Sequence, residues 1–110
     1  MFWVNICDYS DIAPNTGVCA SVHDCQVAIF REANSGKLFA IDNYDPIGCA
    51  NVLSRGLLSS VGDKLAVASP LYKQHFDLIS GECLEDASIR IPVYRVKEEG
   101  GKVYVALAND

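Results

Sequence analysis

No apolar run in this sequence is longer than a strand. Gln26-Val27-Ala28-Ile29-Phe30-Arg31, Lys37-Leu38-Phe39-Ala40-Ile41-Asp42 and Lys64-Leu65-Ala66-Val67-Ala68 are rich in β-branched and aromatic residues, which suit a pleated surface better than a helix. Between the apolar runs stand Asn34-Ser35-Gly36, Asp45-Pro46, Val61-Gly62-Asp63, Ser80-Gly81 and Glu99-Gly100-Gly101, all chain-reversal signals. Helix is correspondingly scarce. Ala50-Asn51-Val52-Leu53-Ser54 is the best candidate, and Gly56 stops it after one turn. The predicted class is all-β, a sandwich or barrel of stacked antiparallel sheets with at most one short helical turn. With no internal repeat, low-complexity tract or linker, residues 1–110 are expected to form a single domain.

The C-terminal hairpin tests this class by register. With Gly100-Gly101 as a two-residue turn, Val96 faces Val105 and Tyr94 faces Leu107. Tyr94, Val96, Val103, Val105 and Leu107 then share one side, while Arg95, Lys97 and Tyr104 take the other. A slip of one residue would scramble that separation.

Composition excludes several functions. Half of the residues are hydrophobic and 21% are charged, which argues against disorder. The net charge of −5 offers no clustered basic surface for nucleic acid or an anionic membrane. The first eight residues contain no Lys or Arg and reach Asp8 before a long apolar run builds up, unlike a signal peptide. No later run approaches the ~18 residues that span a bilayer. Five cysteines, an odd number, fit reduced thiols rather than a disulfide framework, and the expected location is cytoplasmic.

Those cysteines and two histidines are the obvious candidates for chemistry. Cys19, His23 and Cys25 lie within seven residues, but the segment reads as a hairpin turning at His23-Asp24. Cys19 then pairs with Ala28, the two sulfurs do not converge, and no fourth ligand stands at zinc spacing. Cys49 and His75 could pair as nucleophile and base in principle, yet Cys49 reads as a small, semi-buried residue and His75 as a solvated one. No GxSxG, HExxH, GxGxxG or P-loop is present. The expectation is therefore no catalytic residue and no metal ligand on this chain.

Two loops remain, about 43–57 and 68–83. Each places a proline just after a strand (Pro46, Pro70) and then descends through a Gly-containing segment into another strand. Facing one another they would form a clamp. Ala40-Ile41-Asp42-Asn43, Pro46, Leu53-Ser54-Arg55-Gly56, Pro70, Phe76-Asp77-Leu78, Gly81 and Cys83 together resemble the framework of the Rieske [2Fe–2S] proteins over nearly the whole chain. That likeness implies the Rieske iron–sulfur protein fold with two protruding loops. In that family the first loop supplies Cys-x-His and the second Cys-Pro-x-His, two thiolates for one iron and two imidazoles for the other. Laid onto that pattern, the cysteine positions hold Asp45 and Ser69, and the histidine positions hold Ile47 and Tyr72. The resemblance implies the scaffold and argues against the cluster.

A ligand-free Rieske-like chain with Val52-Leu53-Ser54-Arg55-Gly56-Leu57, Ala68-Ser69-Pro70-Leu71-Tyr72-Lys73-Gln74 and Cys83-Leu84-Glu85-Asp86 is similar to the small subunits of bacterial assimilatory NAD(P)H-dependent nitrite reductases. This resemblance implies an accessory subunit that docks on a large subunit. The FAD, [4Fe–4S] cluster and sirohaem would sit on that partner, which reduces nitrite to ammonium, and this chain would carry no cofactor. The candidate docking patch is the loop tip, comprising Tyr44, Asp45, Pro46 and Ile47 of one loop and Tyr72, Lys73, Gln74 and His75 of the other. The alternatives are a Rieske-type [2Fe–2S] ferredoxin that transfers electrons with its own cluster, and a β-module binding a small molecule between the loops.

Overall fold

A computed structural model describes residues 2–107. Eleven strands run in order: β1 Phe2–Asp8, β2 Gly17–Val22, β3 Cys25–Arg31, β4 Leu38–Asp42, β5 Tyr44–Asp45, β6 Ala50–Asn51, β7 Leu57–Val61, β8 Lys64–Ala68, β9 His75–Asp77, β10 Val93–Glu99 and β11 Lys102–Leu107. Six of them form one antiparallel sheet in the order β1-β11-β10-β4-β3-β2. A second sheet has the order β7-β8-β9, and β5 with β6 makes a two-residue ladder. The helical content is two single 3-10 turns, Tyr9–Asp11 and Leu53–Arg55, where the sequence predicts at most one. Tyr9–Asp11 lacks the apolar spacing that marks a helix, so local pattern does not show it. The predicted turn also sits further along the chain, because Ala50-Asn51 pairs with Tyr44-Asp45 instead.

The hairpin closes in the predicted register. Gly100 and Gly101 have φ of 60° and 81°, the left-handed values a two-residue turn of this kind needs. Val96 faces Val105, and Val103 and Val105 are fully buried. The β10–β11 ladder runs from Glu99–Lys102 to Arg95–Ala106, and on its other side β11 pairs with β1, Leu107 facing Phe2. At the other end of the sheet, Cys19 pairs with Ala28 across a turn at His23-Asp24, as predicted.

Strand β3 shows why its apolar residues run on without a break. Val27 and Ile29 enter one core with Ile12, Ala40, Val103 and Val105, inside the curl of the six-stranded sheet. Ala28 and Phe30 enter a second core with Ile41, Leu53, Val67 and Phe76, between the two larger sheets. Successive strand residues point to opposite faces, so a strand between two cores must be apolar on both. Leu53 and Phe76 reach this second core from the two loops, which anchors both clamp arms to the same packed layer.

Candidate functional site

The base of the clamp is polar and fully satisfied. Asn43, at the end of β4, is almost wholly buried. Its side-chain amide donates to Gln26 Oε1 at 3.1 Å and to Cys19 Sγ at 3.3 Å, and its Oδ1 accepts from the Ser54 N–H at 2.7 Å. One side chain thus ties β2 and β3 to the turn that closes the first loop. Gly56, two residues beyond Ser54, brings the same turn against β8, since a Cβ there would stand 2.3 Å from the Ala68 carbonyl oxygen.

One step toward the tip, Asp45 and Ser69 meet. Both are fully buried, and Ser69 Oγ donates to Asp45 Oδ2 at 2.5 Å. Asp45 Oδ1 accepts from the N–H groups of Ile47 at 2.8 Å and Gly48 at 3.1 Å. Ser69 Oγ in turn accepts from the Leu71 N–H at 3.2 Å. A buried carboxylate is costly unless hydrogen bonds replace its water, and here three donors do so. The local sequences explain the geometry. Asp-Pro-Ile-Gly and Ser-Pro-Leu each place a short polar side chain where it can bond the backbone two residues on.

The outer two substituted positions diverge. Ile47 is half-buried and packs against the second core. Tyr72 stands 64% exposed. Of the remaining tip residues, Tyr44, Pro46 and Lys73 are exposed, while Gln74 and His75 are half-buried. Glu85 holds His75 in place, accepting from its N–H at 2.7 Å and contacting its Nδ1 at 2.7 Å. Burial opposes the charge on Glu85, but these two bonds from His75 outweigh it and hold the carboxyl below the ordinary glutamate range. Tyr44 leans on Cys49, whose hydrogen bond is the chief cause of a raised pKa for the phenol.

Several sequence expectations need correction. Asp45 is interior, because the hydroxyl facing it and two backbone N–H groups reward its burial, so it cannot belong to a surface patch. Gln74 and His75 are half-buried rather than solvated, and Cys49 is exposed rather than semi-buried. The thiols are not uniformly packing residues. Cys83 is buried and Cys7 partly so, but Cys19, Cys25 and Cys49 are exposed, and all five are free. Partial burial, ahead of the nearby Asp11 and Asp8 charges, raises the pKa of the Cys7 thiol. Asn43, Arg55, Leu57 and Leu71 are absent from the sequence-derived site. Asn43 stands within the recognised framework, but nothing in the string marks it as buried.

An iron–sulfur cluster does not fit these residues. The two inner positions bond each other, Ile47 has no donor atom, and Tyr72 points its bulk toward solvent. Among the described residues, no group of three or more His, Cys, Asp or Glu side chains converges on a common point. No helix among them is long and apolar enough to cross a membrane.

Stacked antiparallel sheets bearing two clamp loops define a Rieske-like domain. The sequence matches the family described as Rieske-like [2Fe-2S] domain over residues 2–106. It is 48% identical over 101 residues to the nitrite reductase (NADH) small subunit of Escherichia coli strain K12, covering 92% of this chain and 94% of that one. The solution structure of the E. coli protein NirD superposes with a TM-score of 0.87 at 46% identity, covering 94% of each chain. The chain belongs to the Rieske-like family and, within it, to the nitrite reductase small subunits. A third relative differs in kind: the nitrite reductase [NAD(P)H] large subunit of Klebsiella oxytoca is 40% identical over 103 residues, covering 94% of this chain but 11% of that protein.

Proposed function

We propose that this chain, a single domain over 1–110, is the accessory subunit of a cytoplasmic NAD(P)H-dependent nitrite reductase. It docks on a large subunit that carries FAD, a [4Fe–4S] cluster and sirohaem and reduces nitrite to ammonium. The chain contributes no catalytic residue of its own. One observation carries the reading: the two inner ligand positions are consumed by the Asp45–Ser69 bond beneath an exposed aromatic tip. The Klebsiella relative supports it, because a segment like this whole chain occurs there within the large-subunit polypeptide itself.

The docking surface is the exposed part of the tip, Tyr44, Pro46, Tyr72 and Lys73. Tyrosines that present an apolar ring and a polar edge suit an interface core, and a lysine suits its rim. Co-expression with the cognate large subunit tests this. The wild-type chain is expected to copurify and to raise nitrite-dependent NAD(P)H oxidation, and Y44A/Y72A/K73A to lose both. Unchanged binding and activity in that variant would reject the patch. Two irons per chain after anaerobic purification would instead favour the ferredoxin alternative.

A further inference from the structure

Strand β7 is a free edge of the three-stranded sheet and carries large exposed apolar side chains, Leu57 and Val61. Edges are normally blunted by charge, proline, bulges or a covering segment. β1 carries Asp8 and a bulge between Asn5 and Cys7. β2 has one face packed on the Leu53–Arg55 turn, where a Cβ on Gly17 would be 2.6 Å from the Ser54 carbonyl oxygen, and its exposed residues are polar or small, Cys19 and Ser21. The outer side of β9 is covered by residues 82–84, through bonds from Asp77 N–H to Glu82 O and from Leu84 N–H to His75 O. β7 reads Leu57-Leu58-Ser59-Ser60-Val61, with no charge, no proline and no bulge in its five-pair ladder with β8.

The phase of that ladder fixes which backbone groups are free. Leu65 of β8 gives its carbonyl to the Leu78 N–H at 3.1 Å, on the side away from β7. Ser60, which faces Leu65, therefore sits in a pair that exchanges no hydrogen bonds, and so does Leu58. Their N–H and C=O groups point outward, the two residues about 7 Å apart, and no partner among the described residues satisfies them. This is the template that an added strand requires.

The surroundings indicate the occupant. Leu57 is 74% exposed and Val61 40% exposed, on the same face of β7. Leu57 also opens a shallow groove of about 260 Å³, shared with Arg55, Pro70 and Lys73, so the edge runs on into the docking tip. Lys64 at the far end is engaged by Asp77 at 3.5 Å, which leaves Arg55 and Lys73 as the cations facing the groove. A five-residue edge falls well short of the roughly 1,600 Å² that a stable pair of proteins buries. It therefore suits a partner already held elsewhere better than a second copy acting alone.

We infer that β7 captures an extended segment of the large subunit as an added strand, one with an uncharged centre and a carboxylate at the end that meets Arg55 and Lys73. This rests on the docking reading above. The added strand would bond the backbone of Leu58 and Ser60, and its apolar side chains would cover Leu57 and Val61.

Amide hydrogen exchange on the complex of the full chain with its large subunit tests this directly. The Leu58 and Ser60 amides are expected to slow at least 100-fold on binding. S60P, which removes an outward N–H without touching a bond to β8, should weaken the complex at least tenfold, whereas S60A should not. Unprotected Leu58 and Ser60 in a complex that forms normally would overturn the strand pairing and leave tip docking intact. Failure of the wild-type chain to bind at all would overturn both. Protection that grows with concentration in the isolated chain would assign the edge to a second copy and equally overturn the proposal. If S60P does not fold, exchange on the wild-type complex alone decides.

Discussion

The two inner and two outer clamp positions that the Rieske resemblance marks have met opposite fates. Asp45 and Ser69 turn inward and bond each other, whereas Ile47 packs on the core and Tyr72 stands in solvent. In a Rieske centre all four positions answer to one iron pair. Here each answers to its own surroundings. The inner pair lies where the loops converge, beneath Leu71 and against Gly48, so only a mutually satisfied polar pair can be buried there. The outer pair lies beyond that contact, where no such demand applies. Loop-to-loop closure and the proposed partner recognition would thereby fall in adjacent layers of one structure.

The sharpest way to break this contrast is at the inner layer. D45A would strand the Ser69 hydroxyl and the N–H groups of Ile47 and Gly48, at a cost of about 3 kcal/mol, read from the shift in a urea unfolding midpoint. A loss below about 0.5 kcal/mol would mean the loops hold together without the bond. G56A tests the base of the clamp: its new methyl meets the Ala68 carbonyl and Val67, and should cost about 2 kcal/mol in the same assay.

At the outer layer the effect should move from stability to binding. Y72A is expected to leave stability within about 0.5 kcal/mol of wild type while weakening the complex with the large subunit about tenfold, some 1.4 kcal/mol. An unfolding shift as large as that of D45A would place Tyr72 in the inner class and erase the distinction.

Asp77 provides the smallest test, as a buried carboxylate within the second loop rather than between the loops. Burial disfavours its charge, but the N–H groups of Ile79 and Ser80 and the Lys64 ammonium outweigh that and lower its pKa. A depressed folded pKa gives stability that is present above the ordinary aspartate value near 4 and lost as pH falls through the folded value. D77N should therefore be about 1 kcal/mol less stable at neutral pH, and the gap should close progressively below about pH 4. A gap independent of pH would assign the loss to packing instead.

Much of the scaffold was legible in the chain because strand signals are local. The Gly100-Gly101 turn, the His23-Asp24 turn and the Cys19–Ala28 register follow from turn chemistry and two-residue periodicity alone. The short β5–β6 ladder was not legible. Two residues are too few for periodicity, and Ala50-Asn51 has better helical than strand character in isolation. Burial of polar residues was harder still. Asp45 belongs to an Asp-Pro turn that would sit on the surface of most proteins, and only the hydroxyl arriving from the other loop makes its interior position tolerable.

The sequence by itself determined the all-β class and the clamp loops, and it puts no Cys or His at the positions that the Rieske resemblance assigns to ligands, since these depend on which residues stand at which spacing. Tertiary structure alone decided that two of the replaced positions bond each other, that Asp45 is inside while Tyr72 is outside, and that β7 keeps an uncovered edge. Each of those depends on what a distant segment brings to within about 3 Å, and no local pattern carries that information.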